Sequence, residues 1–266
     1  MNENTVGIIG IPFDEKSSFL KGAAKGPDQI RKTLHDGSSS FVTESGLELI
    51  DGTHYKDLGN ISINEFPADV ESGILKGLQK NSRLITLGGD HSIAYPVIKA
   101  FQKQYMDLHI LQFDAHTDLY DEYEGDRLSH ACPFARIMEQ NLAKSLCQVG
   151  IRTISKHQKD QQERFNVQVI TMKDWTRGIR TKLNGPLYIS LDLDVFDPAF
   201  APGISHYEPG GMSPREVIDV ILGIRVPIIG ADIVEYNPDR DHHGMTAMLA
   251  AKLLKELAAK MYMDSN

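Results

Sequence analysis

The chain has 266 residues, 41% of them apolar and 24% charged, with a formal net charge of −8 at neutral pH. That acidity argues against nucleic acid or an anionic membrane surface as the main partner, and no run of about 18 apolar residues offers a spanning helix. The amino end, MNENTVGIIGIPFDEKSS, has no basic stretch before its short apolar run and reads as a first strand, not an export signal. The two cysteines, Cys132 and Cys147, lack C-x-x-C spacing and offer neither a disulfide framework nor a zinc ribbon. A cytoplasmic protein is expected.

In chain order, TVGIIGIP (5–12) is the first predicted strand. Residues 35–82 are the least regular stretch, where DGSSSF and DGTHYKDLGN read as surface loops. RLITLGG (83–89) and LHILQFDAH (108–116) are strands separated by a predicted helix over 95–105. A helix over 134–144, a strand over 145–152, a helix over 157–165 and strands over 167–172 and 187–195 follow. The helix predicted over 213–224 opens with Ser213 as N-cap and Pro214 at its first position. The strand VPIIGADIVEY (226–236) precedes a last helix over 244–261, dense in strong helix formers. The strands are rich in Ile, Val and Leu with little polar alternation, as expected when both sheet faces are covered. Alternating strands and helices predict one α/β domain spanning 1–266, a parallel sheet with helices on both faces, without repeats or linkers.

Ligands of such sheets gather beyond the carboxyl ends of the strands. Four predicted strand ends carry unusual residues: GGDHS with His91, DAHTD with Asp114, His116 and Asp118, DLD with Asp192 and Asp194, and DIVE with Glu235. Side chains two apart in a strand face the same way, so Asp114, His116 and, if the strand persists, Asp118 project together, as do Asp192 and Asp194. Any one of these motifs is commonly a turn or a helix cap. Six ligand-type groups on one rim are not. Adjacent desolvated carboxylates repel unless a cation stands between them. An oxygen-rich set with two imidazoles and no thiolate suits Mn(II), with Ni, Co, Fe or Zn possible. Six ligands exceed the need of one catalytic ion, and two ions sharing Asp114 and Asp192 would lower the pKa of a water between them. Asp90 and Asp232 are candidate supports for those ligands. His54, His109, His157, His242 and His243 read as ordinary surface or core histidines.

GGDHS, DAHTD and SLDLDVFDPAFAPG together resemble the signature segments of the ureohydrolase family, the arginases and agmatinases. The likeness extends from GIPFDEKSSFLKGAAKGP through SHACPFARIMEQ and ISHYEPGGMSPRE to VEYNPDRDHHGMTAMLAAKLLKELAAK, and is nearest to plant-type arginases. It implies a three-layer α/β/α fold with a parallel sheet of about eight strands, two Mn2+ ions per subunit, and hydrolysis of a guanidinium to urea plus an amine. By position, one ion would take His91, Asp114, Asp118 and Asp192, and the other His116, Asp114, Asp192 and Asp194. The proton-transfer histidine falls on His130 and the guanidinium-binding carboxylate on Glu235. The resemblance also implies a homotrimer or homohexamer.

Chemistry supports the last two roles. A carboxylate matches the planar donor fork of a guanidinium, and an imidazole titrating near neutrality can protonate a leaving amine. His130 would reach the site from a mobile loop over 119–129. Competing readings are a thiolate enzyme using Cys132, which lies among acids instead of the electropositive surroundings a thiolate needs, a one-ion deacetylase on a similar fold, and a binding module with structural ions. For the substrate, the acidic loop LYDEYEGDRLS would repel a carboxylate and favours agmatine, while the likeness to plant-type arginases, with ISHYEPGG and the C-terminal segment, implies arginine. Arginine is the expected substrate, with agmatine and then another guanidino acid as alternatives.

Overall fold

The computed structural model describes residues 4–175 and 183–264. Among these residues, eight strands form one sheet: β1 (Val6–Gly10), β2 (Tyr55–Asn60), β3 (Leu84–Leu87), β4 (His109–Phe113), β5 (Ser145–Ile151), β6 (Gln168–Thr171), β7 (Leu187–Asp192) and β8 (Ile228–Val234). Their order is β2-β1-β3-β8-β7-β4-β5-β6, and every pairing is parallel. The helices are α1 (Gly26–His35), α2 (Ala68–Leu78), α3 (Ala94–Gln102), α4 (Pro133–Glu139), α5 (Lys156–Arg164), α6 (Pro214–Gly223) and α7 (Met245–Met263). Among the described residues, no helix is long and apolar enough to cross a membrane.

The apolar strand sequences are explained by burial on both faces. Ile85, Leu111, Ile189 and Ala231 enter one core with Ile30 and Leu34 of α1, Val217 and Ile221 of α6 and the inner face of α7. Their strand neighbours Leu84, Ile110 and Tyr188 enter a second core with Val70 and Ile74 of α2 and Val97, Ile98 and Phe101 of α3. Alternate residues of each strand therefore supply opposite layers, and both must be apolar.

The structure supplies an eighth strand where the sequence suggested loops. In β2, YKDLGN, only Tyr55 is buried. An edge strand carries little apolar surface and no hydrophobic run, so the pattern that reveals central strands is silent there. Helices α1 and α2 also lie in or beside that irregular stretch, each burying a narrow stripe such as Val70, Ile74 and Leu78. At α6 the expected start is present: Ser213 accepts from the Glu216 amide, Glu216 returns to the Ser213 amide, and Pro214 opens the helix. Cys132 and Cys147 are buried and free.

Candidate active site

Adjacent central strands β3, β8, β7 and β4 deliver the polar groups from their carboxyl ends. After β3, Gly88-Gly89-Asp90 leads into a single 3-10 turn, His91–Ile93, capped by Asp90. Gly89 is required sterically, because a Cβ there would lie 1.9 Å from the Phe13 carbonyl oxygen. That close approach lets the Asp90 amide donate to Phe13 O and the Glu235 amide donate to Gly89 O, at 2.9 and 2.8 Å.

The carboxylates converge by turns and not by strand alternation. β4 ends at Phe113, and Asp118 comes back to the site through a left-handed φ of 48°. β7 ends at Asp192, and Asp194 sits in the following 3-10 turn with its amide donating 2.8 Å to Asp192 Oδ1. The result joins all six residues. His91 Nδ1 lies 3.2 Å from Asp114 Oδ2, 3.0 Å from Asp118 Oδ2 and 3.2 Å from Asp192 Oδ2. His116 Nδ1 lies 2.9 Å from Asp194 Oδ2 and 3.7 Å from Asp114 Oδ1. Two groups suited to a metal ion result, His91–Asp114–Asp118 and Asp114–His116–Asp194, with Asp114 in both.

The donor set fits divalent ions, and the tautomer of His91 provides the test. Ser190 Oγ donates to Asp232 Oδ1 at 2.8 Å, so its one proton is committed. At 2.9 Å from His91 Nε2 it must then accept, which places the ring proton on Nε2. The Nδ1 lone pair is left facing three carboxylates, buried and with no hydrogen-bond partner. That is the arrangement a cation completes. Burial, together with Asp194 and Asp118, pushes the Asp114 carboxyl up to about 7. Asp192 moves the same way through burial, Asp194 and Asp114. Asp194 goes below its ordinary value: burial opposes this, but His116, the Ala115 amide and Arg152 outweigh it. A bound dication would reverse the upward shifts.

Of the two expected supports, Asp232 holds His91 through Ser190 and also accepts from Tyr188 Oη at 2.9 Å. Asp90 touches no ligand side chain. Its carboxylate takes the Ser92 amide and hydroxyl and the Lys16 amide, fastening the 14–18 loop beside the site. Two supports were missed by the sequence reading. Gln112 Nε2 donates to Asp114 Oδ2 at 2.7 Å, and Gln148 Nε2 holds Gln112 Oε1 at 2.6 Å. A buried amide inside an apolar strand was the available signal.

Beside the cluster, Glu235 has a left-handed φ of 62° at the end of β8. Its Oε1 accepts the His91 amide at 2.8 Å and pairs with His130 Nδ1 at 3.0 Å. No hydrogen bond falls on Oε2 among the described residues. His130 Nε2 takes the Ser18 amide at 3.2 Å and meets Ser18 Oγ at 2.8 Å. Burial favours a neutral His130, but the Glu235 carboxylate outweighs it and raises the ring to about 9. His130 precedes α4 in a turn, its amide donating to Lys16 O. The loop expected to be mobile is tied down: Arg136 and Arg127 hold Asp121, and Lys16 holds Asp126 at 2.7 Å.

On a parallel α/β sheet, this rim has the donor set of a metal-binding centre. The chain belongs to the arginase family, whose family model matches residues 4–259. It is 42% identical to Arginase 1, mitochondrial, of Arabidopsis thaliana over 97% of this chain and 81% of that protein. It is 32% identical to an agmatinase of Bacillus anthracis over 96% of this chain and 91% of that one. The solved arginase from Medicago truncatula superposes with a TM-score of 0.88 at 37% identity, covering 97% of this chain and 87% of that chain.

Proposed function

We propose that the protein is a manganese-dependent ureohydrolase that converts L-arginine and water to L-ornithine and urea. The observation that carries this reading is Glu235, a buried carboxylate beside the ion cluster with one oxygen engaged and the other free for a guanidinium fork. One ion would be held by His91, Asp114, Asp118 and Asp192 and the other by His116, Asp114, Asp192 and Asp194; when bound, the pair activates water near neutral pH. Glu235 orients the guanidinium. The Glu235 carboxylate, 3.0 Å from His130 Nδ1, favours the protonated ring. That imidazolium can hand a proton to the departing amine, and the neutral ring left behind keeps its Nδ1 proton beside Glu235 while Nε2 accepts the Ser18 N–H.

Arginine is favoured over agmatine by two observations. Identity is higher to the Arabidopsis arginase than to the Bacillus agmatinase, 42% against 32%. In addition, two acids of the 119–129 loop, Asp121 and Asp126, are neutralised by Arg136, Arg127 and Lys16. The repulsion of a carboxylate inferred from the bare sequence is reduced accordingly. Urea release from arginine, agmatine and guanidinobutyrate with Mn2+ tests the reading, and fastest turnover of agmatine would replace arginine with agmatine. The assembly we propose is a homotrimer or homohexamer, and light scattering at monomer mass would rule it out.

A further inference from the structure

One imidazole at the site has no part in that chemistry. The His206 ring centroid lies 5.4 Å from that of His130 and 6.5 Å from that of His116. Phe19, largely exposed, packs against it at 5.5 Å. Its backbone is fixed on both sides. Ser205 Oγ donates to Leu20 O at 3.0 Å and accepts from Asn237 Nδ2 at 2.9 Å, and Ile204 bridges to Tyr236, next to Glu235. His206 is half-buried, yet neither ring nitrogen makes a hydrogen bond among the described residues. Its ring nitrogens are left open on the site side, where a guest can reach them. A ring held rigidly over His130 in this state is arranged for a guest.

The guest's chemistry follows from what else is at hand. A guanidino acid placed with its guanidinium on Glu235 carries a carboxylate at the other end of a short aliphatic chain. Of the cations in the neighbouring loops, Lys16 pairs with Asp126, Lys21 with Glu15, and Arg127 with Asp121 and Glu139, while Arg152 is held by backbone carbonyls and Arg240 lies over the Tyr207 ring. His206 is uncommitted. We propose that His206 recognises the carboxylate-bearing end of the substrate, its ring N–H donating to the carboxylate while Phe19 fixes the ring. The inference rests on the arginine reading above and names the residue that makes arginine the substrate.

The test uses metal-loaded protein and two amines that differ by one carboxylate, ornithine and putrescine, measured by titration calorimetry. His206→Ala should weaken ornithine by about 10- to 100-fold, the range of a hydrogen bond to a charged group, and putrescine far less. His206→Asn, which keeps an N–H donor, should recover part of the loss. In turnover the loss should fall on KM for arginine more than on kcat. Equal weakening of both amines, unchanged ornithine binding, or no ornithine binding to the wild type would overturn the proposal. Wild type that releases no urea from arginine yet binds ornithine through His206 would overturn the arginine reading and leave this one standing.

Discussion

Around His91 and His116, four carboxylates face two imidazoles, and among the described residues no lysine or arginine forms an ion pair with any of them; Arg152 bonds the Asp194 backbone carbonyl and acts on its carboxylate only at a distance. Around His130, each acid meets a donor. Glu235 is held below its ordinary value, although burial alone would raise it, because His130 and the His91 amide outweigh that burial. Asp114 moves the opposite way, up to about 7. Both corners are buried, so burial does not distinguish them. The supply of positive charge does. One corner is complete within the protein, while the other is built around a charge the chain does not contain.

The largest expected effects come from breaking the incomplete corner. Asp192→Ala should abolish urea release and most bound metal, because Asp192 is assigned to both ions. Asp118→Ala, assigned to one, should leave more of each. Metal content by elemental analysis checks this, and equal residual metal in the two variants would remove the bridge assignment.

Breaking the self-contained corner should spare the metal. Glu235→Gln keeps the shape but removes the charge facing the guanidinium, with losses of several kcal/mol in kcat/KM that buffers cannot restore. His130→Asn should lower kcat by about 10²–10⁴, with partial rescue by small imidazoles. Loss of metal from the His130 variant would make it a ligand and erase the distinction between the corners.

A third acid–base candidate stands near His130 in the sequence. Cys132 is two residues from His130, but burial and the Asp118 charge push its thiol up to about 12. A thiolate nucleophile is therefore absent near neutral pH, and Cys132→Ala should keep kcat within about threefold. Loss of activity with metal retained would revive the covalent reading.

The six cluster residues were legible because strand-end polar groups stand out against apolar strands such as LITL and HILQF. Their convergence was legible for a partly wrong reason. Strand alternation predicted it, whereas a left-handed Asp118 and a turn at Asp194 produce it. Ser18 was not legible, and His206 only as part of the segment ISHYEPGG, since the contacts of each are with residues more than seventy positions away. Edge strand β2 was hidden for the converse reason, having almost no buried surface to pattern.

The smallest effect belongs to a surface carboxylate that, like Glu235, lives among donors, but in water. Glu44 is paired with Arg215 at 2.7 Å and Lys252 at 3.2 Å. The Arg215 hydrogen bond, reinforced by Lys252, lowers its carboxyl from 4.5 to about 2. Because the folded value lies below the unfolded one, the carboxylate stabilises the fold above about pH 4.5, and that contribution is lost as pH falls toward about 2. Solvent screening keeps the contribution below about 1 kcal/mol. Glu44→Gln keeps the backbone amide bond to Glu256, so it isolates the charge. Urea midpoints of wild type and variant should differ slightly near neutral pH and converge as pH falls through about 2, where the Glu44 carboxylate takes up its proton. A difference that grows on acidification would mean that the side-chain amide disturbs packing, and the pairing of Glu44 would then say nothing about charge.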